Sequence, residues 1–372
     1  MRRMANVVPA LGVAVGLAIL PVAVAGQTAR PTTRTAPSTA RTPWGHPDLQ
    51  GLWNVGTMTP VERPASAKGR LAMTDAEARA LEQQQADARA KLAQPSDGNR
   101  QAPPVGGDGT TGPYGNVGGY NYFWIDPGET LNRVDGQLRT SLVVDPPDGR
   151  VPQMLPEAMA RNQTQLRATP TSDAGENAET RQPGAYDNIE QRPLGERCII
   201  GFGSTSGPPM LPTYFYNNLK QIVQTRDHVM ILSEMVHDAR IIPFRTTHRP
   251  RSIRNWLGDS IARWEGDTLV VETTNFNDRT RFRGSSENLK VTERFNRLAD
   301  NTILYRFTID DPTTWPKPWT GEYTWAAAKP DDQLYEYACH EGNYAMEGIM
   351  KGARLLETEA DEAAKQAVSR QQ

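Results

Sequence analysis

The feature that most limits how this chain can fold is a series of short apolar runs, arranged in pairs, in its second half. Residues 261–264 and 268–276 flank Glu265-Gly266-Asp267, and residues 289–298 and 302–310 flank Ala299-Asp300-Asn301. Residues 219–225 and 228–236 meet at Arg226-Asp227, and residues 320–326 and 333–338 lie either side of Lys329-Pro330-Asp331-Asp332. Apolar runs of this length joined by tight polar turns read as β-hairpins. Hairpins in sequence build an antiparallel meander or an up-and-down barrel. The predicted fold is therefore mainly β: a calycin-like barrel or meander with long loops and a few peripheral helices. The 31 Gly and 29 Pro suit such a turn-rich chain.

Helical signal is confined to two places. Thr74 followed by Glu77 has the spacing of a capping box, and the alanine-rich run to Leu92 predicts a surface helix. Residues 343–366 predict a closing helix. Residues 95–119, with Gly106-Gly107-Asp108-Gly109, and residues 162–192 are polar inserts. The glycines lack the preceding strand and following Lys-Ser/Thr of a phosphate cradle.

The N-terminus reads Met1-Arg2-Arg3, an apolar stretch and then Ala23-Val24-Ala25, the pattern of a cleavable signal peptide over residues 1–25. Residues 26–42 form a polar, disordered leader, and one β-rich domain is expected over residues 43–372. The expected location is the periplasm or the exterior, with no stable membrane insertion after cleavage. A net charge of −2 offers no field for nucleic acid. The partner expected is a small-molecule substrate or ligand. In an oxidising compartment the chain's two cysteines, Cys198 and Cys339, are expected to pair.

Two short strings hold the densest mix of proton carriers and charge: Glu234-Met235-Val236-His237-Asp238-Ala239-Arg240 and Cys339-His340-Glu341. A histidine beside a carboxylate is what acid–base work needs, because the carboxylate orients the ring. The expectation is a shared pocket near a barrel end. One histidine would act as base, Glu234 or Glu341 as acid, and Arg240 would hold a substrate anion. A period of two along residues 229–237 puts His237 on one strand face and Glu234 on the other. Glu272 and Asp238 are candidate partners. The bland alternative is that each histidine satisfies a local hydrogen bond. Trp315 and Trp319 flank Pro316-Lys317-Pro318, a stiff loop that could present indoles to a sugar or aromatic ring. Ser204 and Ser206 lack the Gly-x-Ser-x-Gly setting of an elbow nucleophile. No His-x-His or His-x-x-x-His spacing predicts a metal, and no dinucleotide fingerprint, P-loop or haem motif predicts an organic cofactor.

Several strings are similar to those of an uncharacterised family of secreted bacterial proteins. They are His46-Pro47-Asp48-Leu49-Gln50-Gly51-Leu52-Trp53, the Glu234–Arg240 string, Trp264-Glu265-Gly266-Asp267-Thr268-Leu269-Val270-Val271-Glu272-Thr273, and Ala338-Cys339-His340-Glu341-Gly342-Asn343-Tyr344. That resemblance implies export and carries no activity. Gly51-Leu52-Trp53 before a run of strands also resembles the Gly-x-Trp start of lipocalins, which would imply a barrel around a small apolar ligand. Two functions follow as expectations. One is an exported hydrolase or lyase acting on a small glycoside, polyphenol or other aromatic compound by His/Glu acid–base catalysis. The other is a non-catalytic, lipocalin-like binder.

Overall fold

A computed structural model describes residues 40–92, 126, 128–168, 186–201, 206–212, 216–280, 282–298, 301–341 and 344–369. The expected signal peptide, nearly all of the leader, the 95–119 insert and Ser204 lie outside the described residues.

The strands are β1 (Gly51–Asn54), β2 (Ala72–Met73), β3 (Arg133–Val134), β4 (Gln137–Arg139), β5 (Val143–Asp145), β6 (Leu219–Gln224), β7 (His228–Ser233), β8 (Ala239–Pro243), β9 (Asp259–Glu265), β10 (Thr268–Thr274), β11 (Lys290–Arg297), β12 (Thr302–Asp310) and β13 (Trp319–Ala327). The helices are α1 (Asp75–Leu92), α2 (Pro156–Ala168) and α3 (Tyr344–Ser369). Ten strands form one antiparallel up-and-down sheet in the order β8-β7-β6-β1-β13-β12-β11-β10-β9, with β5 beside β13. A parallel bridge from Phe244 to Ala262 brings the β8 end to β9, so the sheet is a nearly closed barrel. No helix of the described residues is long and apolar enough to cross a membrane.

Alternation decides which face is inside. Ile303, Tyr305, Phe307 and Ile309 of β12 are all fully buried, as are Trp319, Tyr323 and Trp325 of β13. Gly321 breaks that series because the ring of Phe307 lies over it, and a Cβ would stand 2.3 Å from that ring. Leucine- or phenylalanine-sized side chains buried to this degree contribute roughly 1.5–3 kcal/mol each. Three of the four predicted hairpins form, as β6–β7, β9–β10 and β11–β12; β9 and β10 pair Glu265 with Thr268 across Gly266, whose φ of 59° suits a glycine in the turn.

Some elements depart from expectation. Residues 333–338 form no strand. They connect β13 to Cys339, with Tyr335 N–H donating to Glu234 and the Tyr337 ring stacked on Tyr216. Seven residues of the insert from 162 onward belong to α2, whose Asn- and Gln-rich sequence masks its helical character. The α1 cap forms as expected: Thr74 N–H donates to Glu77 (2.8 Å) and Glu77 N–H donates to Thr74 Oγ1 (3.2 Å). Helix α1 packs Ala78 with Leu138 of the small three-stranded sheet β2-β4-β3 and with Leu131 just before it.

Candidate active site at the bridged end of the barrel

The connection from β7 to β8 builds the site. β7 ends at Ser233, whose N–H donates to the Asp238 carbonyl at 2.8 Å, closing a tight turn over Glu234–His237. Within it Val236 (φ 58°) and His237 (φ 45°) are both left-handed. Two consecutive non-glycine residues in this region, one of them β-branched, store on the order of 1–3 kcal/mol each. Burial of Met235 (1% exposed) and Val236 (3%) holds the turn down. The period-two expectation fails here, because the strand stops four residues before His237. The turn puts His237 in solvent and Glu234 in the interior.

Asp238 is half-buried between them. Its carboxylate accepts from Gly201 N–H (3.3 Å) and from the Ser206 hydroxyl. Burial raises its pKa above the ordinary aspartate value, against the Ser206 and Gly201 hydrogen bonds and the charges of His237 and Lys220. Lys220 lies on β6 opposite Ser233 and is fully buried. Burial pulls its ammonium down to about 7, against the opposing pull of Glu234 and Asp238. An acid moved up and a base moved down, side by side, are the electrostatic signature of acid–base sites.

The disulfide joins the second string to this end. Cys198 and Cys339 are bonded, with Cα atoms 5.8 Å apart across 141 residues of sequence. Three residues beyond Cys198 is Gly201, the donor to Asp238. His340 and Glu341 follow the bridge directly and are exposed. Neither they nor His237 make a side-chain hydrogen bond among the described contacts. Of the expected pocket, Glu234, His237, Asp238 and the Cys339 segment thus lie around one barrel end.

Three expectations are corrected. Arg240 is no open anion receptor. Its Nη1 and Nη2 donate to Glu293 at 3.1 and 2.6 Å, both side chains almost wholly inside the barrel. Tyr305 OH completes the network, donating to Glu293 (2.8 Å) and accepting from Met210 N–H (2.9 Å), and Tyr323 OH donates to the Met210 carbonyl. An ionised arginine this deep needs a carboxylate, which is why it is committed. Trp315 (2% exposed) and Trp319 (0%) are not platforms either. They cross edge-to-face 5.9 Å apart, with Trp319 stacked on Phe282, so the loop turns its indoles into the core. Glu272 lies outside the barrel, with Lys290 (2.7 Å) and His248 (3.3 Å).

Glu293, Lys220 and Tyr305 were not among the sequence candidates. Glu293 carried a signal, since it interrupts the apolar face Val291–Phe295 of β11, where an acid must be paired. Beside this network an aromatic cluster packs within the aliphatic core: Phe295, Tyr305, Tyr323 and Trp325 lie at centroid distances of 4.9–6.4 Å. Among the described residues no group of three or more His, Cys, Asp or Glu side chains is arranged to hold a metal ion. No protein-family model matches this sequence, and no curated protein matches it significantly.

Proposed function

We propose that the protein is an exported enzyme, a hydrolase or lyase that uses Asp238 and His237 as an acid–base pair at the bridged end of the barrel. The observation that carries this reading is the strained turn: two left-handed residues hold an imidazole in solvent beside a half-buried carboxylate whose pKa is raised. Protonated Asp238 donates to the leaving oxygen as its bond to carbon breaks. His237 takes the proton from the attacking water in hydrolysis, or from the adjacent carbon in elimination. Lys220 and Glu234 are positioning residues, setting the charge behind Asp238 without reaching solvent. The bridge, with the small-residue string at Ala23-Val24-Ala25, supports work outside the cytoplasm. The substrate class proposed is a small glycoside, polyphenol or other aromatic compound.

The test is a turnover screen of the mature protein against such compounds, with and without chelator. On an active substrate, Asp238→Asn and His237→Ala should each lower kcat by ~100-fold or more, the usual scale for a lost acid or base, with the melting temperature nearly unchanged. Full activity in both variants sinks the assignment. Saturable binding of apolar compounds without turnover of any would favour the binder instead.

A further inference from the structure

Between β8 and β9 the barrel seam is open, and we propose that it is a binding site for a small carboxylate with an apolar body. Among the described residues no ladder joins the two strands: the backbone link is the single Phe244–Ala262 bridge just past β8, with Arg240 reaching Ser260 Oγ (3.3 Å) across the gap. Pro243, the last residue of β8, has no N–H with which to continue a ladder. Toward the start of β8 a cleft of about 180 Å³ remains, lined by Ile241, Pro243 and Leu257 on its apolar side and by Arg245, Arg249 and Asn255 on its polar side.

The charges in the cleft do not balance. Arg240, at its inner wall, is neutralised by Glu293. Arg245 and Arg249 share a single carboxylate, Asp259, at 2.6 and 3.7 Å. Asp259 is already engaged on both oxygens, because it also accepts from Arg249 N–H (3.0 Å) and faces His248 Nδ1 (3.0 Å). Nearby Glu272 is taken up by Lys290 and His248. One guanidinium charge is therefore in excess. Arg245 Nε is buried and has no hydrogen-bond partner among the described residues. The guanidinium charge that Asp259 leaves unmatched favours an oxyanion, which would make charge-assisted hydrogen bonds in the cleft. Ile241 is 68% exposed at the rim, an apolar side chain a ligand body would cover. A bare inorganic oxyanion would leave that wall wet, so charge and apolar surface together select an amphipathic carboxylate.

Binding is read directly, by calorimetric titration of the whole mature protein, so the result does not depend on the catalytic reading. The probes are benzoate, its neutral analogue benzyl alcohol, and sulfate. Benzoate should bind saturably, with benzyl alcohol and sulfate at least ~10-fold weaker. Arg245→Gln and Arg249→Gln should each weaken benzoate by ~10-fold, the scale of one charge-assisted hydrogen bond. Because Arg245 also holds Asp259, Ile241→Glu gives an independent arm. It changes only an exposed side chain, and its negative charge at the rim should weaken benzoate by about 10-fold. No saturable benzoate binding, equal binding of sulfate or benzyl alcohol, or undiminished affinity in Ile241→Glu and Arg249→Gln would each overturn the proposal.

Discussion

Replacing Arg240 by methionine should destabilise the protein severely without touching the residues proposed for catalysis. Methionine keeps most of the aliphatic stem but removes the guanidinium that meets Glu293 in a two-pronged pair at 3.1 and 2.6 Å. Glu293 is fully buried, and its only other described donor is the Tyr305 hydroxyl at 2.8 Å. One neutral hydroxyl cannot replace a cation, so an ionised carboxylate is stranded among Val271, Phe295 and Phe307. Breaking a buried pair from one side costs about 3–5 kcal/mol. For a domain of this size that lowers the melting temperature by on the order of 10 °C. Equilibrium urea denaturation with the bridge intact measures the loss. The companion variant Arg240→Met/Glu293→Leu removes both charges and should recover most of it, since an apolar pair of similar volume is often as stable as a buried ion pair. It retains a deficit of roughly 1–3 kcal/mol from the acceptor lost to Tyr305. A loss below about 1 kcal/mol in Arg240→Met, or a double variant less stable than the single one, would refute the reasoning. Arg240 would then be a ligand-binding arginine, as its neighbours in sequence alone imply.

Reducing the Cys198–Cys339 bridge, which closes a span of 141 residues, should lower stability by about 2–5 kcal/mol, read as a shift in urea midpoint; no shift would mean the bridge does not constrain the unfolded chain. Lys220 is pulled from 10.5 to about 7 in the folded state, so between those values the unfolded chain binds more protons and stability should rise with pH. That gain should be absent in Lys220→Met, and should reverse above about pH 10, where buried Tyr305 and Tyr323 resist the ionisation that unfolding permits; a flat profile from pH 7 to 10 in the parent protein would count against a buried lysine. Thr74→Ala should cost ~1 kcal/mol, seen as faster amide exchange in the first turn of α1, through loss of the Glu77 cap.

The sequence by itself determined the local elements. Period-two alternation in residues 289–310 and the Glu265-Gly266-Asp267 turn define hairpins, because strand geometry sends alternate side chains to opposite faces whatever the rest of the chain does. The Thr74/Glu77 cap is equally local, and two cysteines in one chain have only each other as an intramolecular partner. The candidate strings around His237 and Cys339 stood out for their polarity beside apolar strands. What the tertiary structure decided was which charges are spent and which are free. Arg240 and His237 lie three residues apart and look equally available, yet β8 carries Arg240 into the barrel to Glu293, 53 positions away, while the left-handed turn at Val236 puts His237 into solvent. Trp315 and Trp319 flank a proline-rich run that reads as a surface loop, but Phe282 and Phe307 pack against Trp319, and Trp319 against Trp315, so both indoles are buried. The burial of Lys220 and the charge excess in the β8–β9 seam depend on which strands become neighbours when the barrel curls round. Burial and ion pairing are properties of those non-local contacts, and no pattern within one segment contains them.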